Sequence, residues 1–227
     1  MGDVLRPTFI LEGLKQKYKK TKIDWLVDSK NAAVLEGNKY IDNIVCNDGG
    51  VFNFLTSAKY NIVINLDLSP ESLSFAALAF ADKRIGYWLD NSRIIQSSYS
   101  YAGQWLLTSA YDTLKKANTE TYQFWMAKIL ELPKDDYEII VPISKQAKQK
   151  AVNFIVSKKI KAGKIIGINP GAGKRWVMKK WNSEKYIELI KVLSAKGYTI
   201  LLLGGKDDED EIKQIVSAKI KNVYSTG

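Results

Sequence analysis

Histidine is absent from these 227 residues, and cysteine occurs once, at Cys46. Without histidine there is no Ser-His-Asp or Cys-His nucleophile system, and the commonest metal ligand is missing, so acid-base work falls to Asp, Glu, Lys and Tyr. A single cysteine cannot close an intrachain disulfide. With no arginine-rich or apolar leader ahead of the first helix, a reducing, cytosolic setting is expected. Long apolar runs are missing too: the longest, Phe75 to Ala81, is far too short to cross a bilayer. No internal repeat or low-complexity segment occurs. What the chain does have is 46% hydrophobic and 11% aromatic residues, enough for one substantial core or two small ones.

The net charge of +10 is unevenly placed. Residues 1–143 hold 16 Lys+Arg against 17 Asp+Glu, whereas residues 144–227 hold 18 against 7. Between Ser144 and Lys185 stand 12 basic residues and one acid, Glu184. Part of that excess reads as a solvated lysine-rich helix from Ser144 onwards. The rest surrounds Lys164 to Trp181, KIIGINPGAGKRWVMKKW, where an apolar strand (Ile165 to Ile168) runs into a loop with Gly171 and Gly173 among Lys174, Arg175, Lys179 and Lys180. Glycines that let backbone close in, together with positive charge, are what a phosphate-bearing ligand requires. Asn182 then caps a helix with Tyr186, Leu189, Ile190 and Leu193 at helical spacing, and its N-terminus adds attraction for an anion. Nucleic acid is an alternative anion, but no recognition-helix or stacking-sheet signature accompanies the charge, so no nucleic-acid partner is expected.

Along the chain, helical and strand periods alternate. A helix with Phe9, Ile10, Leu14 and Tyr18 on its apolar face comes first; strands follow at Ile23 to Val27 and Asn43 to Cys46, with Ser29 capping a short helix between them. Asn61 to Leu66 is a third strand. Ser69 caps, and Pro70 opens, a helix over Leu73 to Phe80, and Lys83 to Tyr87 is extended again. Two aromatic-rich helical segments fill Ser97 to Leu132; their Trp and Tyr residues read either as core or as a greasy acceptor-binding or membrane-facing surface. Ala162-Gly163 marks the boundary to a second α/β region, in which Thr199 to Leu203 and Asn222 to Tyr224 are strands. Asp207 to Glu211 open a helix, where acids complement the helix dipole. Asp208-Glu209-Asp210 matches a DxD pattern in form, but at a helix start it is read as structural, and no metal is expected. Such alternation implies parallel sheets with helices on both faces and ligands at the carboxyl ends of strands.

Taken together, GDVLRPTFILEGLK, IDWLVDSKNAAVLEGN, YIDNIV, NLDLSPES, GINPGAGKRWVMKKWNSEKYIEL and LLLGGKDDEDEI resemble glycosyltransferase family 9, the ADP-heptose:lipopolysaccharide heptosyltransferases. The resemblance implies an α/β fold of GT-B type with two Rossmann-like domains: residues 1–162 on the acceptor side, and residues 163–227 as a partial nucleotide-sugar-binding domain. It implies inverting, metal-independent transfer of a heptose from ADP-heptose, without a cofactor, to a lipid-anchored saccharide acceptor of the lipopolysaccharide core. The enzyme would be cytoplasmic, with peripheral contact to the anionic inner membrane as a further reading of its cations. By the same resemblance Asp3 is the general base and Lys179, in Lys179-Lys180-Trp181, binds the donor phosphates with Lys174 and Arg175 as helpers. The acid that contacts the ribose falls in Asp208 to Glu209, with Glu209 taken.

The sequence departs from the family's pattern at both ends. An apolar strand usually precedes Gly-Asp, yet Met1 stands directly before Gly2-Asp3, and the family's Asp-Thr-Gly-x-x-His-type loop would come after Gly227. The expectation is therefore a truncated chain with its second domain incomplete and weak or absent transfer activity. The alternative to a working enzyme is an inactive nucleotide-binding or interaction remnant.

Overall fold

A computed structural model describes residues 1–160, 163–171 and 178–226. The chain divides into two compact units, Met1–Ile143 and Ser144–Gly227. The division falls before the lysine-rich helix, which thus groups with the second unit and not with the first, where the sequence boundary at Ala162-Gly163 had put it.

In the first unit α1 (Gly2–Leu5), a 3-10 turn (Arg6–Phe9) and α2 (Ile10–Lys17) replace the single helix expected. Pro7 explains the break, since it has no N–H to donate and its ring crowds the carbonyl four residues back. Next come β1 (Asp24–Asp28) and a 3-10 helix over Ser29–Val34. Its cap is Asp28, not Ser29: the Lys30 N–H donates to Asp28 Oδ1 at 3.2 Å. The chain continues through β2 (Asn43–Asn47), α3 (Val51–Ser57), β3 (Lys59–Asn65), α4 (Pro70–Leu78), β4 (Phe80–Leu89) and β5 (Ile95–Ser97). Then follow α5 (Tyr99–Ala110), α6 (Asp112–Ala117) and α7 (Tyr122–Ile129).

Two sheets result. β1 pairs with β2 in parallel; β3 pairs with β4 in parallel, and β5 returns antiparallel on the far side of β4. Phe9, Ile10, Leu14, Tyr87, Ala102, Met126 and Ile129 form the main core, with Trp105, Tyr122 and Trp125 packed against it. Half of the expected aromatic residues thus pack against the core, while Tyr101 and Tyr111 remain exposed. Val51, Leu55 and Ala79 make a smaller cluster on which Leu26, Val63 and Phe75 pack.

Two residues fix how β3, α4 and β4 meet. Gly86 lies in β4 at φ 91°, opposite Asn65, and a Cβ there would fall on the Asn65 carbonyl. Arg84 turns its guanidinium back onto the carbonyls of Ala76 (2.8 Å), Ala77 (3.2 Å) and Ala79 (2.7 Å) at the end of α4. A cation on those last carbonyls suits the negative end of the helix.

The second unit starts with α8 (Lys145–Ser157), whose cap Ser144 accepts the Ala147 N–H at 3.0 Å and which buries none of its residues. β6 (Ile165–Ile168), α9 (Ser183–Ala195), β7 (Thr199–Leu202), a 3-10 turn (Lys206–Asp208), α10 (Glu209–Ser217) and β8 (Val223–Ser225) follow. The strands form one parallel sheet in the order β6-β7-β8. Ile168, Ile190, Ile200, Leu202, Ile212 and Ile215 form its core. Among the described residues no helix is long and apolar enough to cross a membrane.

Candidate functional site

The stretch singled out by glycine and charge lies at the carboxyl end of β6, where parallel sheets place ligands. The Gly171 N–H donates to Asn169 Oδ1 at 2.9 Å, turning the chain out of the strand. Gly173, Lys174 and Arg175 lie outside the described residues. Lys179 is exposed in the short turn ahead of Asn182, whose Oδ1 accepts the Lys185 N–H at 3.1 Å and so caps α9. Lys179 and the first turn of a well-capped helix thus share one end of the sheet, a suitable arrangement for an anion.

Acidic residues close the other side. Asp208 Oδ2 accepts the Gly205 N–H at 3.1 Å, and the same carboxylate lies against Gly171 where a Cβ would otherwise stand. Asp208 therefore ties the loop after β6 to the loop after β7. Glu209 instead pairs with Lys213 at 3.1 Å on its own helix. Of the two acids to which the ribose contact was assigned, the fold brings Asp208 to the glycine loop. Lys180 pairs with Glu211, and its hydrogen bond holds that carboxyl below the usual range. Trp181 stands beside this pair with one face open, its ring edge-on to Tyr186 at 5.6 Å. The pair and Trp181 border a shallow groove of about 290 Å³ that runs to Gln214.

In the first unit Asp3 is 95% exposed in α1 and pairs with Arg6 at 3.4 Å. The Arg6 guanidinium lies 3.9 Å over the ring of Tyr122. Burial raises the Tyr122 phenol's pKa against the opposing pull of Arg6, and both Asp3 and Asp67 act on it as nearby charges. Asp67, just beyond the carboxyl end of β3, accepts the Ser69 N–H (3.1 Å), Ser69 Oγ–H (3.0 Å) and Ser72 Oγ–H (2.9 Å). Burial pushes its pKa up, but the hydrogen bonds outweigh it and leave it below the usual range. Asp3, Arg6 and Tyr122 thus form one line of contacts, and Asp67, beyond the carboxyl end of β3, is near enough for its charge to act on the Tyr122 phenol. Sequence reasoning named only Asp3. Ser69 was visible as a helix cap, but nothing local pointed to Asp67 or linked Arg6 to Tyr122. Among the described residues no three His, Cys, Asp or Glu side chains converge as metal ligands.

Parallel α/β units in both halves, each with polar groups over its strand ends, define a protein of the GT-B type. The chain belongs to glycosyltransferase family 9 (heptosyltransferase), whose family model matches residues 49–226. A glycosyl transferase of family 9 from Veillonella parvula is similar in structure over 99% of this chain and 66% of its own, with a TM-score of 0.75 at 20% identity. E. coli heptosyltransferase WaaC with ADP matches over 100% of this chain and 71% of its own, with a TM-score of 0.62 at 16% identity. E. coli ADP-heptose lps heptosyltransferase II matches over 99% and 69%, with a TM-score of 0.61 at 17% identity. At such identities the likeness establishes the fold, and the chain spans just under two thirds of the Veillonella protein's length. No curated protein matches the sequence.

Proposed function

We propose that this chain serves the transfer of a heptose from ADP-heptose to a saccharide acceptor of the lipopolysaccharide core, at the cytoplasmic face of the inner membrane. The observation that carries the reading is the family match running through the β6–loop–α9 unit, in which Lys179 and a capped helix start share one strand end. In this mechanism an acceptor hydroxyl oxygen attacks the anomeric carbon as the bond from that carbon to the diphosphate oxygen breaks. Its proton passes to the Asp3 carboxylate, and the bonding pair leaves with ADP. Lys179, helped by Lys174 and Arg175, offsets the charge growing on the diphosphate, while Gly171 and Gly173 let backbone approach it. An acid of the Asp208–Glu209 pair takes the ribose. Neither metal nor cofactor is required. Asp3 lies ahead of the matched residues, so its role rests on the sequence motif and on its place beside Arg6.

The test is ADP release from ADP-heptose in the presence of a lipid-anchored core acceptor. Lys179→Ala and Asp3→Asn are each expected to lower the rate by about 100-fold or more. Unchanged rates in both variants would overturn the assignment. A second reading, nucleotide binding without transfer, draws on the anion-suited strand end of the second unit alone, where β6 leads into the capped start of α9. Calorimetry with ADP separates the two: binding without turnover supports the second.

A further inference from the structure

The shallow groove that Trp181 borders runs between the start of α9 and one face of α10. Glu211 and Gln214 stand three residues apart on α10 and so share that face. Lys180, in the turn ahead of α9, pairs with Glu211 and ties the two elements together.

Three side chains on this groove are left without hydrogen-bond partners. Ser183, the first residue of α9, is only 8% exposed, yet its hydroxyl makes no hydrogen bond among the described residues. Among those residues the one sealed side-chain polar atom without a partner is Asn38 Nδ2, so the Ser183 hydroxyl is not sealed and opens to the groove it lines. Trp181 is 54% exposed, its indole N–H is unbonded, and its ring is backed by the edge contact with Tyr186. The Gln214 side-chain amide is unbonded as well. Tryptophan is highly buried on average, and a nine-tenths buried hydroxyl without a partner forfeits a hydrogen bond that a ligand could restore.

The lining decides what that ligand is. Glu184 and Glu211 set two carboxylates against one cation, Lys180, which is already paired, so an anion is disfavoured here in contrast to the strand end at Lys179. Trp181 is the one apolar side chain on the lining, so a wholly apolar molecule gains little. An uncharged ring with a C–H face for the indole and hydroxyls on its rim suits the groove, because hydroxyl, amide and carboxylate groups all bond to hydroxyls. The volume of about 290 Å³ is close to the roughly 300 Å³ at which small-ligand pockets begin.

We propose that this groove is a saccharide-binding subsite, in which a pyranose ring stacks on Trp181 and its hydroxyls bond to Ser183, Gln214 and Glu184. The sugar is held there and not chemically changed. The inference does not rest on the proposed transfer reaction, since it needs neither a nucleotide nor Asp3.

The test follows the Trp181 indole N–H by NMR in the whole nitrogen-labelled protein, its signal assigned by its loss in Trp181→Phe. Heptose, glucose and galactose are each titrated alone, and glycerol at equal hydroxyl concentration is the control for a solvent effect. The expected result is a saturable shift with at least one sugar in the millimolar range, and none with glycerol. Gln214→Ala, at an exposed position, and Ser183→Ala should each weaken that binding roughly three- to tenfold. The shift should also persist in saturating ADP. Absent or linear shifts with all three sugars, an equal response to glycerol, or unchanged affinity in both variants would overturn the proposal. So would loss of the shift in ADP, because the sugar would then be occupying a nucleotide-sugar site.

Discussion

At the scale of single residues, Asp208 and Gly171 form a pair that can be taken apart. Gly171→Ala places a methyl group on the Asp208 carboxylate, an overpacking that costs about 1–3 kcal/mol unless the side chain swings away. Asp208→Gly is expected to recover most of the loss, giving a non-additive double-mutant cycle in denaturant melts. Additive effects would show that the carboxylate does not press on Gly171. Asp67 gives a second test. Its folded pKa lies below its ordinary value of 3.8, so the stability it contributes is present above that value and is lost as pH falls through the folded one. Asp67→Asn should be less stable at neutral pH and show a shallower loss of stability on acidification below about pH 4. An unchanged acid limb would mean that Ser69 and Ser72 do not favour the charged form. None of this was legible in advance. Asp208 sits in an acidic run that explains itself as a helix start, and which of its carboxylates reaches a distant glycine depends on how the two loops fold.

At the scale of elements, the sequence resolved most centres and missed several ends. Ser69 and Pro70 place the start of α4 because they satisfy and tolerate unpaired N–H groups by local chemistry alone. Ser69→Ala is expected to lower stability by about 1 kcal/mol, read from the denaturation midpoint. The end of α4 was misplaced. The apolar run through Phe80 has no stop signal, and the helix closes at Leu78 because Arg84, in the following strand, occupies its last carbonyls. Arg84→Ala should therefore cost about 1.5–3 kcal/mol and raise exchange at the α4–β4 junction more than elsewhere. α3 and β5 were not anticipated. α3 has only two buried anchors, Val51 and Leu55, and β5 is three residues held by its partner strand, so both depend on tertiary contacts more than on their own periodicity.

At the scale of the whole molecule, the α/β class and the two-part organisation follow from alternation, which is a property of the chain itself. The position of the division does not. A lysine-rich helix with no buried residue carries no sequence signal for the core it accompanies, and it grouped with the second unit. The separate cores lead to a further expectation. Leu202→Ala, fully buried at the end of β7, should cost about 2–5 kcal/mol and loosen amides within residues 144–227. Amides of the Phe9–Tyr87–Met126 core should keep their protection. Equal loosening of both would show that the units unfold as one.

Gly86 also sets a limit on how the gene can drift. Every single-base change in a glycine codon that alters the residue without ending translation introduces a side chain with a Cβ, and at this position that atom would collide with the Asn65 backbone. The collision is with main chain, so no rotamer of a neighbour relieves it. In a saturation library screened for folded protein, position 86 should therefore tolerate only synonymous codons, whereas Gly2, Gly49 and Gly205, which have open space around them, should accept alanine.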